Sequence, residues 1–456
     1  MTLSHRRSFL AHSAQAGMGL IAGSSLSAAR GNPANDRVIL AAIGLGGRGS
    51  ALIDGFSTRS DVAFAYLCDL DPQRGVTTAD LVAKRQGKAP KRVQDFRRVL
   101  DDKSVDAVVV ATPDHWHGPA TVFACQAGKD VYVEKPASHN IFEGRKMVEA
   151  ARKYDRVVQV GTQTRSARYI RTALDYIHSG KLGAIHLVKV FNLKSGGAYS
   201  KGKDGPPPVG FDHDVWLGAA PRRPYNSQTF HGGWHAYWDF SGGDMADDGV
   251  HQLDVARWLI GKDFPSAVQA SGGNLAFKDD REVPDTQLVS YDFGDLFMTF
   301  ELTEWAPYMD KIAGDVRQGE TTHLFPYWPQ CATRIELYGT KGLMYIGRHG
   351  GGWQVFGRAK TQSRPGELIA QDYGMVPEAA HKENFIHCIR TREKPHADIE
   401  EGHCSAALVH LANISTRLGG RKLTFDAKTA SFPGDAEANR LLKRGNHTPF
   451  SIPDEV

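Results

Sequence analysis

Apolar and polar residues alternate along the first third of the chain in blocks that predict strand and helix by turns. "RVILAAIG" (37–44), "VAFAYLCD" (62–69), "VDAVVVAT" (105–112), "DVYVEKP" (130–136) and "RVVQVGTQ" (156–163) are short, almost wholly apolar runs of strand length. Between them, "SALIDGF", "PATVFACQAGK" and "FEGRKMVEAARKY" repeat their apolar residues at helical spacing. Strands without a polar face, alternating with helices, predict an α/β domain with a parallel sheet covered on both faces. The pattern then changes. A helix over "RYIRTALDYIHSGKLG" leads into an irregular stretch from about Ser195 to Gly243. "GGDMADDGVHQLDVARWLIG" (242–261) predicts another helix, with Asp244 able to cap it. Farther on, "AVQASGGNLAF", "TQLVSYDFGDLFMTFELTEW", "TRIELYGTKGLMYIG" and "GWQVFGR" alternate and turn like neighbouring antiparallel strands. "PEAAHKENFIHCIRTR" and "GHCSAALVHLANISTRLG" predict helices, the second capped from "DIEEG".

The N-terminus belongs to neither pattern. Arg6 and Arg7 precede Ser-Phe-Leu, and Ser8 to Ala29 contains no Lys, Arg, Asp or Glu. This resembles a twin-arginine export signal, with His5 departing from the Ser or Thr usual there. The expectation is a removable signal over 1–29 and a periplasmic or otherwise exported protein. The run is too diluted by Ser, Gly, His and Gln for a stable membrane span, which needs about 20 predominantly apolar residues. Removing residues 1–29 takes away two arginines and no acid, so the formal charge falls from +4 to +2. No nucleic-acid field is implied. The five cysteines form no Cys-x-x-Cys pair, so no zinc site or disulfide framework is signalled, although an exported protein could join two of them.

Chemistry enters at the first strand–helix turn. Gly44, Gly46 and Gly49 form Gly-x-Gly-x-x-Gly, and Asp69 ends the second strand 25 residues after Gly44. Glycines there let backbone and a helix N-terminus approach a pyrophosphate, and the acid accepts the ribose hydroxyls. Asp69 favours NAD over NADP, while Arg48 and Arg74 nearby leave NADP open. Ligands of such a sheet sit beyond the carboxyl ends of its strands. "TPDHWH" (112–117) and "EKP" (134–136) occupy those ends, and Lys135 points toward the nicotinamide. The candidate cofactor contacts are Gly44, Gly46, Gly47, Arg48, Gly49, Asp69, Thr112, Pro113, His115, His117, Glu134, Lys135 and Gln163.

The irregular stretch is long enough to be functional. His231, Trp234, His235, Tyr237 and Trp238 have the flat, half-polar side chains that contact sugar rings, although packing the loop onto its domain would use them equally well. The candidate substrate contacts are Arg165, His231, Trp234, His235 and Trp238. Gly232 and Gly233 argue against a helical metal pair at His231 and His235, and no metal is expected. Asp247, His251 and Asp254 fall at i, i+4 and i+7, on one helical face. A histidine with a carboxylate one turn away is a natural acid–base unit, here with Asp247 orienting His251. Gly249 inside the helix costs about 1 kcal/mol relative to Ala, which suggests that another backbone or a ligand comes close.

Taken together, "GLGGRG", "CDLDP", "TPDHWH", "EKP", "VGTQ" and "GGDMADDGVHQLD" resemble the glucose–fructose oxidoreductase/inositol dehydrogenase (Gfo/Idh/MocA) family over roughly 36–260. The later motifs are similar to an exported bacterial branch. The resemblance implies an N-terminal Rossmann domain (36–160) and a C-terminal α/β domain (161–456) with a large, mostly antiparallel open sheet. It implies homo-oligomers, dimers or tetramers, built sheet-on-sheet. It assigns catalysis to Lys135, Asp247 and His251, with Asp248 departing from the usual apolar residue. It implies an NAD(P)-dependent oxidoreductase acting on a sugar, glycoside or polyol hydroxyl, with a tightly held, recycled cofactor suited to an exported protein. Hydrolysis or elimination through transient oxidation of the sugar is the alternative. A non-enzymatic sugar- or nucleotide-binding protein is a third reading.

Overall fold

The first alternation folds into a six-stranded parallel sheet. The computed structural model describes residues 37–319, 321–361, 366–445 and 449–456, so the twin-arginine segment 1–29 lies outside the described residues. The strands are β1 (Val38–Ile43), β2 (Val62–Cys68), β3 (Lys91–Val93), β4 (Ala107–Val110), β5 (Asp130–Val133) and β6 (Val158–Val160). Their order is β3-β2-β1-β4-β5-β6, which reverses direction between β1 and β4 and opens a crevice there. β3 has no counterpart in the sequence reading, because Lys-Arg-Val at a sheet edge shows no apolar run.

Period-2 alternation splits this sheet's side chains between two cores. Ala41, Ile43, Val108, Val110, Val131 and Val133 face one. Leu40, Ala42, Val109 and Tyr132 face the other, against Leu52, Ile53 and Phe56 of the helix Gly47–Ser57. The chain beyond residue 160 also covers this sheet. Phe385 and Ile386 of the helix Glu378–Thr391 join the Leu52–Phe56 core, with Phe385 edge-on to Phe56 and Tyr132 at 6.2 and 5.7 Å. Ile399, Ala406, Ile452 and Val456 join the opposite core. Residue 160 ends the parallel sheet, but the hydrophobic cores around that sheet are completed by the last eighty or so residues of the chain.

The second sheet has nine strands: β7 (Ile185–Leu193), β8 (Ala267–Gly273), β9 (Thr286–Asp292), β10 (Phe297–Thr303), β11 (Arg334–Gly339), β12 (Leu343–Gly347), β13 (Trp353–Phe356), β14 (Leu368–Asp372) and β15 (Leu423–Thr424). Their order is β14-β13-β12-β11-β7-β10-β9-β8-β15. β7 and β10 run parallel, and the other neighbours are antiparallel. Helices Arg168–His178, Val250–Ile260 and Ile399–Arg417 pack on one face. Asp398 caps the last of these, its carboxylate accepting from the Glu400 N–H, as "DIEEG" suggested.

The helix expected over 242–261 begins differently. Asp244 makes no capping bond. It accepts from Asn192 Nδ2 at 2.7 Å and pairs with Lys194. Met245–Gly249 is a wide π-turn, and the α-helix starts only at Val250. The close approach at Gly249 comes from a side chain: a Cβ there would lie 2.5 Å from Phe300 Cζ.

Candidate active site

The glycine turn has the shape that a dinucleotide requires. Gly44 has φ +89°, and a Cβ on it would lie 2.5 Å from the Ala111 carbonyl oxygen. A Cβ on Gly49 would lie 2.0 Å from the Gly44 carbonyl oxygen, so the third glycine keeps helix and strand together. Gly47 has open space around it at the start of the helix Gly47–Ser57. A cavity of about 330 Å³ rises from this turn, walled by Asp69, Thr112, Pro113, His117, Glu134 and Lys135. Asp69 Oδ2 accepts from the Leu45 N–H at 2.7 Å and Oδ1 from the Asp71 N–H at 2.9 Å, which fixes the carboxylate at the rim. Burial raises its pKa, and those two N–H groups oppose the rise. The carboxylate disfavours a 2′-phosphate, and the neighbouring Arg74 is engaged by His231 at 2.5 Å and by Asp71 at 3.9 Å. These features fit NAD.

Arg48 points away from Asp69. Its Nε donates to Glu134 at 2.7 Å and its Nη atoms reach Glu378 at 3.3 and 3.4 Å. His115 does not line the crevice; its Nε2 donates to the Trp216 carbonyl at 2.8 Å while the ring packs between Trp216 and Phe240. His117 sits between the carbonyls of Pro136 and Thr112 at 2.7 and 2.9 Å, bracing the Glu-Lys-Pro turn, where the Lys135–Pro136 peptide is cis. Asp114, which motif reading passed over, is 3% exposed, accepts from Ser241 Oγ at 2.8 Å and is pushed by burial up to about 7.

The aromatic loop divides. His231, Trp234 and His235 wall the dinucleotide cavity. Trp238 turns out of it, with the Arg417 guanidinium 5.5 Å over its ring. Arg165 is also no wall residue. Its guanidinium is buried against Asp254 at 2.8 Å and Glu401 at 3.1 Å, below the Trp258 ring. That ion pair removes Asp254 from the shared helical face as well, since the carboxylate is 0% exposed.

A second cavity, of about 400 Å³, adjoins the first through Arg48, Glu134, Lys135 and Asp247 and is walled by Gln163, His251, Lys311, Arg317, Arg348 and His349. Gln163 therefore faces this cavity, with its Nε2 donating to Tyr132 at 3.3 Å. The last four wall residues carried no motif; a loop, the short helix Gly314–Gln318 and the end of β12 bring them in.

Lys135 stands where the cavities meet. Its Nζ donates to Asp247 Oδ1 and to the Asp247 carbonyl, both at 2.6 Å. Burial alone would lower the ammonium pKa, but Asp247 and Glu134 outweigh it and raise it. Burial alone would raise the Asp247 pKa, but Lys135, His235 and Lys194 hold it well below the carboxylate range. No hydrogen bond joins Asp247 to His251 among the described residues; the π-turn gives Asp247 to Lys135 instead. His251 is held neutral, far below its ordinary pKa, by burial and then by the nearby Arg348 and Lys135 charges. Buried polar atoms without a protein partner cluster on these walls: Thr112 Oγ1 and His235 Nδ1 beside the first cavity, His251 Nδ1 and Arg348 Nε beside the second. Such atoms are costly unless a ligand or water satisfies them. Among the described residues no group of three His, Cys, Asp or Glu side chains could hold a metal, and the five cysteines are buried free thiols.

Residues 39–162 match the family model described as the oxidoreductase family, NAD-binding Rossmann fold, and residues 192–295 and 365–452 match the family's C-terminal alpha/beta domain. The chain belongs to the Gfo/Idh/MocA oxidoreductase family. It is 26% identical over 281 residues to scyllo-inositol 2-dehydrogenase (NAD(+)) of Bacillus subtilis (strain 168), covering 62% of this chain and 66% of that protein. It is 37% identical over 135 residues to a glycosyl hydrolase family 109 protein of Stenotrophomonas maltophilia (strain K279a), covering 28% and 29%. These stretches span two thirds or less of those relatives. A solved levoglucosan dehydrogenase, in complex with NADH and levoglucosan, shares the Gfo/Idh/MocA fold at TM-score 0.61 and 19% identity, covering 85% of this chain and 99% of that one. Among the described residues, no helix is long and apolar enough to cross a membrane.

Proposed function

We propose that the protein interconverts an alcohol carbon of a sugar or polyol and the corresponding carbonyl, hydride passing to NAD⁺ or back from NADH. The observation that carries this reading is the Lys135–Asp247 ion pair at the junction of the two cavities, beside a neutral His251. Bound NAD⁺ would supply the ring that accepts hydride from the alcohol carbon. Gly44, Gly46, Gly47 and Asp69 would hold its pyrophosphate and ribose. Asp247 favours the charged form of Lys135; in this reading its ammonium donates to the substrate oxygen and stabilises the charge that develops there. His251 is neutral and can take the hydroxyl proton. Asp247 acts by holding Lys135. The names of the scyllo-inositol and levoglucosan relatives support a polyol or sugar substrate.

Lys135→Ala and His251→Ala should each slow single-turnover reduction of bound NAD⁺ by about 10²–10⁴-fold. Groups that act as a unit are strongly non-additive, so the double variant should be little slower than the poorer single one. Nicotinamide absorbance follows the step directly. Hydride transfer at the normal rate in both single variants would end this assignment.

The match to a glycosyl hydrolase family 109 protein favours a second reading, net glycoside cleavage through transient oxidation. It predicts a released aglycone with no net NADH, whereas a dehydrogenase accumulates NADH and a ketone or lactone.

A further inference from the structure

The second cavity carries more positive charge than the chemistry at Lys135 uses. Lys311, Arg317, Arg348 and His349 share its wall. Asp248 is the carboxylate among them: its Oδ2 accepts from Lys311 Nζ at 2.7 Å, and its Oδ1 lies 3.5 Å from Arg348 Nη2. The other wall carboxylates are engaged elsewhere, Asp247 by Lys135 and both Glu134 and Glu378 by Arg48. Arg317 has no ion pair and no side-chain hydrogen bond among the described residues, and Arg348 Nε is buried without a partner. Burial draws the Arg348 pKa down, Asp248 opposes this, and Arg317 adds to it. Three full cations thus share a wall on which Asp248, paired with two of them, is the one carboxylate not engaged elsewhere. Such a cluster gains from an added anion. The planar fork of arginine suits an oxyanion with two oxygens to offer.

The backbone at two of the cations is hydrogen-bonded to other elements. The Lys311 carbonyl accepts from Thr333 Oγ1 at 2.9 Å. The Gly347 carbonyl, next to Arg348, accepts from the Tyr169 hydroxyl at 2.8 Å. We infer that the polyhydroxylated substrate bears an oxyanion, as a sugar acid or a sugar phosphate does, and that Arg317 and Arg348 bind it while the reacting hydroxyl lies at Lys135 and His251. Asp248 is a positioning residue that holds Lys311 and Arg348 on the wall. The hydroxyl end of this inference rests on the proposed oxidoreductase function; the anion end stands on the cations alone.

Calorimetry on the NAD-loaded protein tests it with three probes: a hexose, the matching hexuronate and the hexose 6-phosphate. At least one anion should bind about ten- to a hundredfold more tightly than the hexose, the range for charge-assisted hydrogen bonds. Which anion does so identifies the source of the oxyanion. Arg317→Gln and Arg348→Gln should each cut that preference by about tenfold. Because Arg348 is largely buried and its variant can fail to fold, the exposed Arg317 supplies the decisive one. Equal binding of all three probes, or an intact preference in Arg317→Gln, overturns the inference. Anion binding that depends on Arg317, with no sugar of any kind reducing NAD⁺, would keep the inference and sink the oxidoreductase reading. Oxidation of neutral sugars without any anion preference would do the reverse.

Discussion

Asp247 and His251 are four residues apart, and spacing alone would make them partners. The structure gives Asp247 to Lys135, and this changes what the carboxylate does. A carboxylate that orients a histidine tunes the acid limb of a pH profile. One that holds an ammonium tunes the alkaline limb. Asp247→Asn removes the anion that raises the Lys135 pKa, so that pKa falls. The charged form of Lys135, the donor in the proposed function, is then lost at lower pH, and the alkaline limb of kcat/KM should move to lower pH. A kcat/KM profile against pH for the wild type and Asp247→Asn checks this. A shift confined to the acid limb would return Asp247 to His251. The residues legible in the sequence were those whose motif also fixes their backbone: the glycine turn, Asp69 and Lys135. Arg165 and Trp238 were misread because a side chain's type does not tell which way its loop turns. Arg165 found Asp254 and Glu401, and Trp238 found Arg417. Lys311, Arg317 and Arg348 left no local signal, because they meet only when β12 and the segment before β11 reach the same cavity.

At the scale of elements, the π-turn Met245–Gly249 decides where both acids go. Its extra residue per turn presents Asp247 to Lys135 and Asp248 to Lys311. The turn rests on Phe300 of β10, against which Gly249 has no room for a methyl group. Gly249→Ala should therefore destabilise by about 1–3 kcal/mol, the usual cost of overpacking, although Ala is the better helix former. Phe300→Leu in the same chain should recover part of the loss, since a smaller side chain frees the space. Denaturant midpoints for the two singles and the double give the coupling; additive losses would mean that the Phe300 contact is not the cause. A helix was legible here from its apolar period, but its first turn was not, because propensity and spacing are alike for α and π within five residues. In the nine-stranded sheet β8 to β13 were legible from alternation, but β7, directly after a helical pattern, was not read as a strand, and β3, β14 and β15 are short edge pieces with little burial to leave a pattern.

For the whole molecule, the buried histidines set the response to acid. Burial lowers His115 and His403 to about 3, and His381 and His410 to about 4. In the unfolded chain they titrate near 6.5. Between those values the unfolded state binds protons that the folded state refuses, so stability is lost as pH falls below about 6.5. Asp114 and Asp244, raised by burial to about 7, have the opposite sign but are outnumbered. The midpoint of thermal unfolding should fall steadily between about pH 6.5 and 4, and a flat profile over that window would contradict the assignment. The return of the chain to its first domain has a consequence of another kind. Phe385, Ile386, Ile399 and Ile452 are the last pieces of a core whose other members were synthesised some three hundred residues earlier. While a ribosome is still making the middle of the chain, both faces of the parallel sheet lack part of their cover. Nascent chains stalled before residue 378 should retain no nucleotide and should be cut by protease within residues 37–160. Chains stalled well past residue 456 on an added linker should resist the protease and retain nucleotide. The nucleotide site is thus encoded first and completed last.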